Sequence, residues 1–206
     1  MHMKRKIGLM GGTFDPIHHG HLLMAEAVRE QYGLDKVLFI PSSQPPHKQG
    51  RKVAPAHARL LMTEMAVLGN RYFEVSQIEL HRQGPSYSVD TLRELHSLHG
   101  GEAEFYFITG ADAINELATW HEAGELLRLC HFIAATRQGC ALDLPRLRRE
   151  LGESVVEERI HELSTPELEI SSTDIRARIR DGHSIKYLVP AAVEAFICKK
   201  GLYHDL

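Results

Sequence analysis

His18 and His21 stand three residues apart with Gly20 between them, directly after Gly11-Gly12-Thr13-Phe14-Asp15-Pro16-Ile17. At a helix start that spacing puts both imidazoles on one side, facing the same ligand. The free N–H groups of a first helical turn, with the helix dipole, favour an anion there. Gly11 and Gly12 let the backbone approach such a ligand without a Cβ in the way, and Gly20 does the same at the helix start. The segment lacks the Gly-Lys-Ser/Thr of a Walker loop and the GxGxxG of a dinucleotide fold. A metal centre is the alternative chemistry, since His18, His19 and His21 are all potential ligands. Adjacent histidines point to different sides of the chain, and no cysteine or further carboxylate is placed to complete a tetrahedron. No metal held by protein side chains is therefore expected. The chain has 14 histidines, and His2, His81, His96, His99, His183 and His204 read as ordinary surface or core residues.

A second constellation lies far downstream: Ile170-Ser171-Ser172-Thr173-Asp174-Ile175-Arg176. Ser171 with Asp174 three residues later reads as a capping-box-like helix start. Arg176 falls four residues after Ser172, on the same face one turn up. Hydroxyls at a helix N-terminus with one forked guanidinium make a second anion cradle. Arg178 and Arg180 read as solvated surface charges.

The elements that must position these groups alternate along the chain. Lys6–Met10, Lys36–Ile40, Phe73–Ile78, Glu104–Thr109, His131–Thr136 and Ile160–Leu163 read as strands, several apolar nearly throughout, as strands covered on both faces are. Between Gly20 and Tyr32, Met24, Ala27 and Val28 form an apolar stripe opposite Glu26, Arg29 and Glu30. Residues 56–68 carry Leu61, Met65 and Leu68 at helical spacing. Ser88 can cap a helix bearing Val89, Leu92 and Leu95 that stops at Gly100-Gly101. This alternation argues for an α/β fold, a Rossmann-like doubly wound parallel sheet. In such a sheet the first β-to-α turn, where His18 and His21 sit, lies outside the carboxyl ends of the strands, where ligands bind. Residues 171–181 and 190–200 read as two further helices, the second opened by Pro190 and closed by Gly201. The expected organisation is a single domain over residues 1–206, with an α/β core in 1–164 and a small C-terminal helical appendage in 165–206. Residues 41–55, rich in Pro, Ser and Gln, read as one long loop of the functional or mobile kind.

Composition narrows the classes. The 206 residues are 43% hydrophobic and 25% charged with a net charge of −3, which is globular and excludes a disordered or fibrous chain. That charge also argues against wrapping long nucleic acid, while permitting a local basic pocket for a small anion. Cys130, Cys140 and Cys198 form no CxxC pair and read as free thiols of a reducing cytosol. After the N-terminal basic residues only Ile7 to Met10 come before Gly11, too short for a signal segment, and no apolar run reaches a membrane span. A cytoplasmic protein is expected, with no membrane partner.

The paired motifs His18-x-Gly20-His21 and Ile170-Ser171-Ser172-Thr173-x-Ile175-Arg176 resemble the signature of the nucleotidyltransferase superfamily, one motif near each end of the chain. Over almost its whole length the sequence resembles the bacterial nicotinate-nucleotide adenylyltransferases. Pro45-Pro46-His47-Lys48, Pro85-Ser86-Tyr87-Ser88-x-Asp90-Thr91, Gly110-Ala111-Asp112 and Thr119-Trp120-His121 carry the likeness between the end motifs. The resemblance implies a reaction of NAD biosynthesis, in which the phosphate of nicotinate mononucleotide attacks the α-phosphorus of ATP to give deamido-NAD and pyrophosphate. It implies Mg²⁺ bound mainly through the ATP phosphates, and no nucleic-acid partner. A homo-oligomer stays open.

The same resemblance implies site residues. His18, His21 and Arg176 would serve the transfer itself, with His18 and His21 on the triphosphate and Ser172, Thr173 and Arg176 on its β- and γ-phosphates. A histidine near pKa 6.5 protonates readily beside a polyphosphate, which strengthens the contact. Gly11, Gly12, Thr13, Phe14, Gly20, Gly110, Asp112, Arg137 and Ser171 would complete the ATP site. Gly12, Thr13, Lys48, Ser88, Asp112, Trp120 and His121 would receive the mononucleotide. Within that set Trp120 would stack on the pyridine, Asp112 accept from ribose hydroxyls and Ser88 meet the nicotinate carboxylate. Taken from the residues alone, Trp120 reads as a packing residue, and Lys48 equally as an exposed lysine or a cation reaching a phosphate. Ser88 stands where that family often has Thr, and His121 where Tyr is frequent. Competing readings are an adenylyltransferase acting on phosphopantetheine or nicotinamide mononucleotide, and a nucleotide-binding module without turnover.

Overall fold

The computed structural model describes residues 4–44, 52–82, 84–136, 141–164 and 169–204. The apolar runs become strands β1 (Arg5–Gly12), β2 (Lys36–Pro41), β3 (Phe73–Val75), β4 (Ala103–Gly110), β5 (His131–Thr136) and β6 (Ile160–Ser164). They make one parallel sheet in the order β3-β2-β1-β4-β5-β6, with Ile7 registered on Phe105 and Phe107 on Phe132. The order reverses at β1, so the turn leaving its carboxyl end stands at the switch point of a doubly wound sheet. β2 and β5 are buried almost end to end, as two-sided coverage requires, whereas the edge strand β6 alternates.

Helices α1 (His19–Tyr32), α2 (Ala56–Val67), α3 (Ser88–His99), α4 (Ala111–Asn115), α5 (Ala123–Leu129), α6 (Leu144–Leu151), α7 (Glu153–Arg159), α8 (Ser172–Arg180) and α9 (Ala191–Lys200) are joined by a 3-10 turn at Leu117–Thr119. Gly100 and Gly201 close α3 and α9 in the left-handed conformation. Among the described residues no helix is long and apolar enough to cross a membrane.

The chain forms two compact units. The first takes Met1–Gly11, Met24–Leu38 and Tyr87–Glu167, and its core includes Ile7, Val28, Leu92, Phe105 and Ile133. The second takes Gly12–Leu23, Phe39–Ser86 and Leu168–Leu206, and its core includes Phe14, Ile17, Phe39, Met62, Ile175 and Val193. Both end motifs belong to the second unit.

Some local expectations change. β3 stops at Val75 because the Ser76 hydroxyl accepts from the Ile78 N–H (3.4 Å) and turns the chain out of the sheet. Helix α1 buries Ala25 and Val28 rather than Met24. Ser88 is the first residue of α3, not its cap: Tyr87 takes the capping position in an extended conformation, without a side-chain bond. Helix α2 presents a different face from the one its leucines mark. It buries Ala58, Arg59, Met62, Thr63 and Val67, while Leu61 is 38% and Leu68 88% exposed. The guanidinium of Arg59 explains the inversion, because it finds its partners inside the unit.

Candidate active site

The first motif is built around a helix start. The His21 and Leu22 N–H groups donate to the His18 carbonyl (3.0 and 3.4 Å), while the His18 N–H donates to His21 Nδ1 (3.2 Å). Because His21 Nδ1 accepts, the proton of its neutral ring sits on Nε2, a fixed donor. The two imidazoles stack with centroids 3.7 Å apart, and Phe14 packs edge-on against His21 at 5.2 Å. Close approach favours glycine at two positions. A Cβ on Gly20 would stand 3.0 Å from His18 Nδ1, and one on Gly12 3.1 Å from the Phe14 ring.

His18 is 6% exposed, and its Nδ1 is buried with no hydrogen-bond partner among the described residues. Ser42 Oγ is in the same condition. Buried polar atoms of this kind are rare, and a ligand is one way to satisfy them. Burial, with a smaller contribution from His19, pushes the His18 pKa down to about 4. In the free protein His18 is therefore neutral at pH 7, whereas the sequence suggested a ready cation. A polyanion seated against it would raise that value.

The second motif is capped as expected: the Asp174 N–H donates to the Ser171 hydroxyl at 3.0 Å. The two motifs meet across most of the sequence. Ser172 Oγ donates to the Pro16 carbonyl at 2.9 Å, and Arg176 Nη1 donates to the Asp15 carbonyl at 2.7 Å. Arg176 Nη2 also donates to Thr173 Oγ1 at 3.3 Å, and the Ile170 carbonyl lies 3.6 Å from where a Gly20 Cβ would be. Thr13, Phe14, His18, Gly20, His21, Ser171, Ser172, Thr173 and Arg176 thus fall in one unit, with two helix N-termini in contact.

Three residues that hold this arrangement escaped the sequence reading. Asp15, 2% exposed, accepts at Oδ1 from the Ala54 N–H (3.2 Å) and the Tyr203 hydroxyl (2.9 Å). Its Oδ2 stands 3.8 Å from Arg176 Nη1. Arg59, also 2% exposed, donates to four carbonyls: Thr13 (2.7 Å), Ser42 (2.8 Å), Ala54 (3.0 Å) and Ser43 (3.2 Å). Burial lowers its pKa, opposed by the charge of Asp15. An arginine on the same helical stripe as Ala58, Met62 and Thr63 was the available signal.

Gly12 belongs to the second unit as well, and the other described site residues lie in the first. Gly11 is the last residue but one of β1 and Gly110 ends β4, and Gly110 precedes α4 in an extended conformation, with exposed Asp112 in the first turn. Ser88 opens α3, and His121 packs on Tyr87 (centroids 4.4 Å apart) and meets Glu122 at 3.2 Å. Trp120 is half-buried, edge-on to Phe107 (5.7 Å) and Phe132 (6.2 Å). Lys48 and Arg137 lie outside the described residues, as do residues 45–51 of the expected loop. Among the described residues, no group of three or more His, Cys, Asp or Glu is placed to hold a metal ion.

Residues 9–178 match the model of the cytidylyltransferase-like family. A protein of Moorella thermoacetica (strain ATCC 39073 / JCM 9320) is 52% identical over 200 residues, 96% of this chain and 91% of the relative. One of Thermoanaerobacter sp. (strain X514) is 48% identical over 205 residues, 98% of this chain and 96% of the relative. Both carry the name "Probable nicotinate-nucleotide adenylyltransferase". In fold, the chain is similar to the solved structure of Plasmodium falciparum nicotinic acid mononucleotide adenylyltransferase complexed with NaAD, at a TM-score of 0.76, 20% identity and 97% coverage of both chains. Matched by that model over most of its length and by such relatives over nearly all of it, the chain belongs to the cytidylyltransferase-like family, among the nicotinate-nucleotide adenylyltransferases.

Proposed function

We propose that this chain joins ATP to nicotinate mononucleotide, giving deamido-NAD and pyrophosphate. One observation carries the reading: two helix N-termini from opposite ends of the sequence meet, with a buried, unsatisfied His18 Nδ1 and a partly exposed Arg176 beside them. Such a pair of dipoles and donors suits a polyphosphate. The names of the relatives supply the second substrate.

The attacking phosphate of the mononucleotide is already a nucleophile, so no enzyme base or covalent intermediate is needed. Its oxygen bonds to the α-phosphorus as the bond to the β-phosphate oxygen breaks. Catalysis is then alignment of two anions and stabilisation of charge on the departing pyrophosphate. The His21 Nε2–H and His18 serve the triphosphate and the transition state; Ser172, Thr173 and Arg176 hold the β- and γ-phosphates. The mononucleotide is assigned to Ser88, Asp112, Trp120 and His121. Mg²⁺ would be brought in by ATP and held mainly by its phosphates. Asp15, the carboxylate of the phosphate motif, is already engaged by Ala54, Tyr203 and Arg176, which fits a cation carried by phosphates and water. Bound there, Mg²⁺ would neutralise charge on the leaving pyrophosphate. We place the reaction in the cytoplasm, where the free thiols Cys130 and Cys198 stay reduced.

Chromatography of ATP and nicotinate mononucleotide incubated with the protein tests this. Deamido-NAD is expected, with turnover falling roughly 10²–10³-fold in His21→Ala, the worth of one transition-state donor. Near-normal turnover in a folded His21→Ala protein would remove the phosphate role from that residue.

A further inference from the structure

We propose that Tyr203 is a positioning residue for Arg176, acting through the buried Asp15 carboxylate. The inference rests on the reading that Arg176 grips ATP phosphates. Tyr203 follows α9, is 3% exposed and holds a φ of 72°, a conformation uncommon for a residue with a side chain. Backbone outliers of this sort persist only where their surroundings fix them, and they gather at functional sites. Its hydroxyl donates to Asp15 Oδ1 at 2.9 Å, and the Ala54 N–H donates to the same oxygen at 3.2 Å. Burial, and then the charge of Asp15, push the phenol above its ordinary range, so the hydroxyl keeps its proton and remains a donor.

What makes this more than packing is the geometry on the other side of the carboxylate. Arg176 Nη1 stops 3.8 Å from Oδ2 and donates instead to the Asp15 main-chain carbonyl at 2.7 Å. A buried carboxylate free to turn would close that gap, because ion pairs strengthen steeply away from water. Two donors on Oδ1 pin the carboxylate and keep it from turning. The guanidinium is thereby held near Asp15 without being consumed by it, and its side chain stays 24% exposed toward a ligand. Tyr203→Phe removes one of the two pins and nothing else. Held by the Ala54 N–H alone, Asp15 turns more readily toward Arg176, which is drawn away from the phosphates.

Calorimetric binding of inorganic pyrophosphate and of ATP tests the coupling. Pyrophosphate is expected to bind Tyr203→Phe about five-fold more weakly than the parent, the order of one ordinary hydrogen bond. In an Arg176→Gln background, adding Tyr203→Phe is expected to change nothing further. The same null increment is expected in an Asp15→Asn background, which keeps the acceptor for Tyr203 but removes the charge that competes for Arg176. An equal increment in all three backgrounds overturns the proposal, since a merely structural role would act regardless of Arg176. Parent-like binding by folded Tyr203→Phe overturns it too, while leaving the proposed function intact. A parent protein that binds neither pyrophosphate nor ATP overturns both.

Discussion

Arg59 is the residue whose loss the account makes most costly. Its guanidinium serves four carbonyls, two of them, Ser42 and Ala54, through buried bonds. In Arg59→Met those two acceptors lose their donors where water does not reach, at about 1–3 kcal/mol each. The other two are part-buried and regain water. Relief of the guanidinium's own desolvation offsets part of the loss. The net expectation is about 3 kcal/mol, a large share of the ~5–15 kcal/mol that holds a domain together. Arg59→Lys keeps the charge, but its compact ammonium lacks the fork to serve four acceptors, so about half that loss is expected. Urea unfolding followed by far-UV circular dichroism measures both. Because Thr13 is one of the four partners, the KM for ATP should also rise in Arg59→Lys. A loss below about 1 kcal/mol in Arg59→Met would refute the argument that these carbonyls depend on Arg59.

Acid stability should report His18. Its pKa falls from an ordinary 6.5 to about 4 on folding. The fold therefore gains from the neutral ring in full above pH 6.5 and loses that gain as pH drops toward 4, on the order of 3 kcal/mol. His18→Asn should flatten the stability profile between pH 6.5 and 4, and an unchanged slope would assign the acid sensitivity elsewhere. Trp120→Phe keeps an aromatic ring against Phe107 and Phe132, so the fold should survive with the KM for nicotinate mononucleotide raised several-fold and that for ATP unchanged. Equal rises in both would leave Trp120 a packing residue.

Much of this was legible in the chain. Apolar strand runs separated by helical periodicity gave the doubly wound sheet, and Ser171, Gly100, Pro190 and Gly201 marked helix ends that the structure keeps. The contact between His18-x-Gly20-His21 and the Arg176 motif was anticipated from their likeness to a known pair of motifs, not from spacing. Helices α4, α5, α6 and α7 were not anticipated, because at five to eight residues they show little more than two turns of periodicity. Helix α6 nonetheless carried signals, an Asp143 cap and a Pro at its start. The face of α2 was misjudged because periodicity weighs leucines and discounts a charge. Arg59 overrides it through four hydrogen bonds to main-chain carbonyls, those of Thr13, Ser42 and Ser43 distant in sequence, and local sequence cannot show such partners. The Asp15–Tyr203 bond spans almost the whole chain and is invisible for the same reason. The neutral state of His18 depends on burial, which its neighbours in sequence do not report.

The proposed reaction is an adenylyl transfer that selects a carboxylated pyridine nucleotide. Pyrophosphate release from ATP, measured side by side with nicotinate mononucleotide, nicotinamide mononucleotide and phosphopantetheine, tests it most directly. Rapid release is expected with nicotinate mononucleotide, and far slower release with the other two acceptors. Equal or faster release with phosphopantetheine or the amide, or none with any acceptor while ATP still binds, would contradict it.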